Sequence, residues 1–249
     1  YEITTRLVGS EMCIRDRKMM EEGIPFVIEG KQVFLPFIGY LLSKENEREL
    51  APVYLISFLT QKMLLMAIYE RWNEVKVSDA AKRIGVSTKS ASRCFDELEY
   101  LNIDVLGMKG KSRVINIPND RKQVWQQIEN VLRNPVIRRF VLREDMKLEK
   151  KAGISALCEY SLLSDNVYPT YAVTKKELKD SAVKVEKQVS ELEEIGCVVL
   201  ELGYFIDFLG KGFQDPLSVV LSLTGEEQEE ERVDISINEM LEEYVWSKD

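Results

Sequence analysis

The sequence contains no histidine. That absence removes Ser-His-Asp and Cys-His nucleophile systems, imidazole metal ligands and histidine general bases in one step. Cysteine is scarce: Cys13, Cys94, Cys158 and Cys197 are the four, and no two of them form a C-x-x-C pair. Neither a disulfide framework nor a zinc knuckle is expected, and this usage fits a reducing, cytoplasmic setting. Long apolar runs are missing as well. The most apolar stretch, 53–69, is interrupted by Ser57, Thr60, Gln61 and Lys62. A membrane span needs about 20 nearly uninterrupted apolar residues, so this stretch reads as a core helix. The start of the chain lacks the layout of a secretory signal.

What is present is the composition of a folded protein. The 249 residues are 45% hydrophobic and 31% charged, enough for one large domain or two small ones. The first seventeen residues stand apart. The chain opens on Tyr1, and residues 7–17 (LVGSEMCIRDR) back-translate into CTC GTG GGC TCG GAG ATG TGT ATA AGA GAC AGR. That string resembles the transposase adaptor of shotgun sequencing, and Tyr1-Glu2-Ile3 fits the end of the flow-cell primer. Residues 1–17 are therefore expected to be translated adaptor, an artefact joined to a truncated gene. Met12, Cys13 and Arg15 receive no functional weight.

Charge divides the rest. Residues 71–143 carry 15 Lys/Arg against 8 Asp/Glu, a net of +7, while 144–249 carry 11 against 24, a net of −13. A basic section inside a chain of net charge −8 is the electrostatic footprint of a phosphate-bearing partner. Charge alone also fits a plain solvated face, so a motif has to support it.

The motif lies at 77–101, VSDAAKRIGVSTKSASRCFDELEYL. Ser78 is expected to cap a first helix. Ala80, Ala81 and Ile84 follow at helical spacing, small where two helices must cross. Gly85 supplies the turn, where a positive φ favours glycine. Val86 plugs the core beneath it and Ser87 caps a second helix. There Ala91, Phe95 and Leu98 face inward at i, i+4, i+7. Thr88, Lys89, Ser90, Ser92 and Arg93 are left facing outward in the N-terminal half, the end of a recognition helix that reaches base edges and phosphates. Two β-rich runs, 103–106 and 114–117, then enclose the basic loop 107–113 with Lys109, Lys111 and Arg113. With the stretch from Pro52 to about Trp72 as first helix, the order is that of a winged helix-turn-helix. Such a domain binds double-stranded DNA or serves as a protein-interaction module; exposed Lys89 and Arg93 beside a basic wing favour DNA.

Elsewhere the signals are coarser. Residues 23–42 read as a β-hairpin with its turn at 29–32, and 46–50 as a charged connector. Residues 122–132 read as a helix with Trp125 and Ile128 or Leu132 inward. Residues 136–142 read as a strand whose Arg138 and Arg139 either meet phosphate or line an edge. A helix is expected over 151–163, a strand near 168–173, a helix over 174–192 and a strand or strand pair over 197–208. Asp215-Pro216 starts a further helix by cap and N1 proline. Residues 226–231 read as a solvated acidic loop. A last helix spans 232–246, with Val233, Ile237, Met240, Leu241 and Tyr244 inward. Asp207 and Asp215 flank Gly210-Lys211-Gly212, but the remaining positions of a P-loop are missing, so a plain loop is expected. Cys94 and Cys158 read as buried small side chains. No catalytic residue, cofactor or metal ligand is expected, and the chain does not read as an enzyme.

The expected fold class is α+β: a β-hairpin segment and connector at 18–49, a winged helix-turn-helix DNA-binding domain at 50–122 and an acidic α+β domain at 123–249. The strings IPFVIEGKQVFLPFIG, VSDAAKRIGVSTKSASRCFDELEYL, NPVIRRF, AGISALCEYSLLSDNVYPTYAV, DPLSVVLSL and ERVDISINEMLEEY span most of 23–246. Together they resemble bacterial winged-helix proteins labelled MarR-type transcriptional regulators, related to AbiEi-type antitoxins of type IV toxin–antitoxin systems. The resemblance implies a sequence-specific DNA-binding regulator, or alternatively an antitoxin-like protein that binds a nucleotidyltransferase-type toxin through its C-terminal domain and autoregulates. It also leaves room for a homodimer. MarR proteins proper are shorter and dimerise through helices flanking the winged helix, a layout that differs from this one.

Overall fold

In the computed structural model the described residues are 24–28, 32–35, 40–43, 54–180 and 195–247. They define a mixed α+β protein. The chain divides into two compact units, Tyr1–Leu50 and Ala51–Asp249. The boundary expected at 122/123 falls inside the second.

In the first unit, β1 (Phe26–Ile28), β2 (Gln32–Leu35) and β3 (Tyr40–Ser43) form an antiparallel meander. Phe26 lies opposite Phe34, and Phe34 opposite Leu41. The expected hairpin is there and carries a third strand. The adaptor-like residues 1–17 and the connector 46–50 lie outside the described residues.

The second unit is built around α1 (Phe58–Tyr69), in which no residue is exposed. Ser57 starts it, its hydroxyl accepting from the Thr60 N–H at 3.3 Å. Burial on all sides is affordable because its polar side chains are satisfied. Gln61 donates to the Arg133 carbonyl (2.8 Å) and the Tyr204 hydroxyl (3.0 Å) and accepts from the Arg133 N–H (3.0 Å). The Tyr69 hydroxyl donates to Asp215 (2.6 Å) and accepts from the Leu217 N–H (2.9 Å). Gly203 lies against the ring of Phe58, where a Cβ would fall 2.5 Å from ring carbons.

After α1 come β4 (Val75–Lys76), α2 (Val77–Ile84), α3 (Thr88–Tyr100), β5 (Leu106–Lys109), β6 (Ser112–Ile115) and α4 (Arg121–Ile128). The strands form an antiparallel sheet in the order β4-β6-β5. Two expectations are corrected here. α2 begins at Val77 with Lys76 in the capping position, not Ser78. Val75 and Lys76 pair with Ile115 and Val114, so the chain passes from strand into helix without a capping turn. Residues 103–105 are not strand either. Asn102 takes a left-handed φ of 51° and the Val105 N–H donates to the Ile103 carbonyl at 2.8 Å, a tight turn after which the Val105 carbonyl takes the Asn116 N–H at 2.8 Å and the ladder runs from Leu106. Most of 107–113 is consequently strand, and the turn itself is Gly110-Lys111.

A second sheet, ordered β7-β9-β8, follows from β7 (Val136–Leu142), β8 (Thr170–Thr174) and β9 (Cys197–Leu202). β9 pairs antiparallel with β7 and parallel with β8. Of the strand or strand pair expected over 197–208, β9 ends at Leu202, and all six of its residues are buried. A central strand is covered on both faces, so a near-continuous apolar run suits it, here interrupted by Glu201. β7 lies at the edge, and its Arg138 reaches the buried Glu201 of β9.

The remaining helices are α5 (Gly153–Tyr160), α6 (Lys175–Asp180), α7 (Pro216–Ser222), α8 (Gly225–Glu229) and α9 (Glu231–Leu241). Leu157, Val219, Val233, Ile237 and Met240 join α5, α7 and α9 in one apolar cluster. Asp215 caps α7 with Pro216 at its start, as expected. The acidic run 226–231 is not a loop. Thr224 and Glu227 form a reciprocal capping box that holds α8, and α9 starts at once. The helix expected over 174–192 is α6 within the described residues; 181–194 lie outside them. No helix among the described residues is long and apolar enough to cross a membrane.

Candidate nucleic-acid interface

The helix pair α2–α3 is held by three local features. Gly85 ends α2 in the left-handed region, φ 71°, with its N–H on the carbonyls of Ala81 and Lys82. Ala80 and Ala81 are buried where α2 meets its neighbours. Ser87 starts α3, accepting from the Ser90 N–H at 3.1 Å. Ala91, Cys94, Phe95 and Leu98 then turn inward and are buried. The C-terminal end of α3 is held to the start of α1 by Glu97, which accepts from the Ser57 N–H at 2.7 Å.

The opposite face of α3 presents the expected residues unequally. Thr88, Lys89 and Arg93 are exposed, with Lys89 and Arg93 one helical turn apart. Ser90 and Ser92 are half-buried. The Ser90 hydroxyl stands 2.9 Å from that of Ser87, and the Ser92 hydroxyl accepts from Arg113 at 3.1 Å. Lys111 is exposed at the hairpin turn. Among the described residues no acidic group pairs with Lys89, Arg93 or Lys111.

Lys109 and Arg113 are placed differently. Lys109 pairs with Glu74. Arg113 donates to Asp96 and Glu99 of α3, both at 2.7 Å, and its guanidinium lies 5.7 Å from the centre of the Phe95 ring. Its side chain is 19% exposed. Arg113 therefore fastens β6 to α3, and two carboxylates neutralise it. The spacing of the sequence gives no warning of this, because the partners stand 14 and 17 positions away. Sequence reasoning also passed over Lys82 and Arg83 in the last turn of α2. Lys82 is well exposed; Arg83 pairs with Glu70 at 2.9 Å and lies over Trp72. Their basic character in a last turn was legible, since cations suit a helix C-terminus.

Cys94 is buried and its thiol is pushed up by that burial, so it is not poised as a reactive thiolate. Among the described residues no group of three or more Cys, Asp or Glu side chains is arranged to hold a metal ion. Asp207 accepts from the Gly212 N–H at 3.0 Å and so closes the Gly-Lys-Gly loop on itself. Asp215, noted in the sequence as a cap, is fully buried. Its Oδ1 takes the Tyr69 hydroxyl and the Ser218 N–H, whereas Oδ2 has no hydrogen-bond partner among the described residues. Burial raises its pKa to about 6.

No family model, curated protein or solved structure compared with the chain matches it. The functional reading therefore rests on the geometry of this face.

Proposed function

We propose that the protein is a sequence-specific DNA-binding transcriptional regulator, with α1–α3 and the β4-β6-β5 sheet acting as a winged helix-turn-helix. One observation carries the reading. Lys89 and Arg93 project from the N-terminal half of α3, one turn apart and with no acidic partner among the described residues, while the other face of that helix is buried. That half of a recognition helix is the part that enters the major groove. Lys111 at the hairpin turn suits a phosphate contact, and Lys109 joins it by exchanging Glu74 for phosphate. Arg113 is a positioning residue in this scheme: it holds the hairpin against α3 and does not reach the nucleic acid itself.

The test is affinity against salt, for wild type, Arg93→Ala and Lys111→Ala, on a selected operator and on random duplex. Arg93→Ala should cost about 1–3 kcal/mol on the operator and relax preference at one base. Lys111→Ala should weaken both duplexes alike and lower the salt slope by roughly 0.9. If neither substitution weakens binding to either duplex, the reading falls.

A second reading is favoured by α9. Ile235 is half-exposed there, with Glu231, Asp234 and Glu239 on the same helix also exposed. An apolar side chain set among acids suits a protein partner with a basic rim. An antitoxin-like interaction of the C-terminal part is compatible with DNA binding by α3. Finding a nucleotidyltransferase encoded beside this chain, and its co-purification with it, would support that reading; a neighbour of another class would remove it.

A further inference from the structure

The hairpin β5–β6 carries an apolar side chain among its cations. Between Phe58 and Ile128 two large apolar side chains are exposed, Tyr100 at 42% and Met108 at 65%. Tyr100 is the last residue of α3, at the end away from Lys89 and Arg93. Met108 stands in β5, directly before Lys109 and close to Lys111 at the turn.

The register of the ladder fixes the face on which Met108 lies. Leu106 of the same strand packs on the apolar cluster that contains Phe95 and Leu98 of α3. Alternation puts Met108 on that face and Lys109 on the other, where it pairs with Glu74. Across the ladder Met108 lies opposite Arg113, and directly opposed residues share a face. Arg113 turns to α3, donating to the Ser92 hydroxyl at 3.1 Å as well as to Asp96 and Glu99. Ser92 directly precedes Arg93. With the strands in the order β4-β6-β5, Met108 sits on the outer strand and continues the surface that runs from α3 across Arg113.

Chemistry limits what such a side chain can read. A thioether donates no hydrogen bond and accepts only weakly. The guanidinium opposite is matched by Asp96 and Glu99, so no surplus charge stands there for a phosphate. Among the groups that base pairs show in the major groove, the apolar one is the C5 methyl of thymine. An unbranched, pliable side chain moulds itself to such a group.

We infer that Met108 is a specificity residue, packing on the C5 methyl of a thymine at the edge of the site read by α3. The inference rests on α3 being a recognition helix. The experiment measures fluorescence anisotropy of the full chain on the selected operator. It is repeated on operators in which each thymine in turn is replaced by deoxyuridine, which removes that methyl alone. Met108→Ala and Met108→Gln are compared with wild type, and Met146→Ala, at an exposed position of the C-terminal part, is the control. A methyl's worth of buried surface corresponds to about fourfold in affinity. Wild type and Met146→Ala should lose that much at a single thymine. Both Met108 substitutions should lose at least as much on the intact operator, with an unchanged salt slope. They should lose nothing further at that thymine, because the two changes remove one contact. If no thymine is methyl-sensitive, or if its effect adds to that of the Met108 substitutions, the inference falls while DNA binding by α3 stands. Absence of binding to any duplex overturns both.

Discussion

Replacing Asp215 by asparagine isolates the energetic effect of one buried carboxyl. Burial outweighs the bonds from Tyr69 and Ser218 that favour the carboxylate, and the pKa stands at about 6 against an ordinary 3.8. Tyr69 is pushed up in turn, first by its own burial and then by the charge of Asp215, so it keeps its proton and stays a donor. A folded pKa above the unfolded one means that the group binds protons more tightly in the folded state. Its favourable contribution is complete below about pH 4 and is lost as pH rises through 6. About two pKa units at about 1.4 kcal/mol each give a loss of about 3 kcal/mol by pH 8. Asparagine cannot ionise, and its carbonyl oxygen keeps the Tyr69 and Ser218 bonds. Its amide is left where Oδ2 meets no donor, an offset of about 1–3 kcal/mol that does not vary with pH. Urea denaturation of both chains from pH 4 to pH 8 measures the difference. It should move in favour of Asp215→Asn by about 2–3 kcal/mol over that range, with every other carboxyl cancelling. Parallel stability curves would refute the reasoning.

Three further outcomes are expected. Arg113→Ala should lower the urea midpoint by an amount equal to about 1–3 kcal/mol, since it removes the bridge from β6 to Asp96 and Glu99 and the cation over Phe95, yet leave the salt slope of DNA binding unchanged. A drop of one phosphate contact in that slope would instead make Arg113 a contact residue. Gly203→Ala drives a methyl into the Phe58 ring and should cost about 1–3 kcal/mol by overpacking, read from thermal and urea midpoints. Deleting residues 1–17 should change neither the thermal midpoint nor DNA affinity; a loss of several degrees would show that the segment belongs to the fold.

The helix pair was legible because local chemistry fixes it. Gly85, Ser87 and the inward set Ala91, Phe95 and Leu98 act within a few residues of one another, and period and caps agree. Asp215-Pro216 was legible for the same reason. What the sequence misplaced depends on partners far away. Ser78 looks like a cap until Val75 and Lys76 are found paired with β6, and the run 226–231 looks unstructured until Thr224 and Glu227 close on each other. The candidate site shows the same division. Which residues of α3 face outward follows from its period. That Arg113 turns to α3 and Lys109 to Glu74 follows from the register of β5 against β6, which no spacing along the chain encodes.

A spine with no exposed residue has a consequence for how the molecule comes apart. Met63, Leu64 and Ile68 of α1 belong to the same apolar cluster as Phe95 and Leu98 of α3 and as Tyr204, Leu217 and Val245 of the C-terminal part. Cutting the chain between α4 and β7 would strip one flank of α1 bare, so a fragment ending there should be recovered insoluble or molten rather than as a working half. The amide protons of α1 should be the last to exchange with deuterium, and at a single rate set by opening of the whole second unit. The helix pair can then not be loosened without disturbing Tyr204, Leu217 and Val245 of the same cluster. A lesion such as Gly203→Ala, which strikes Phe58 of the spine, would lower the fraction of molecules competent to use the exposed face of α3 without touching any residue on it.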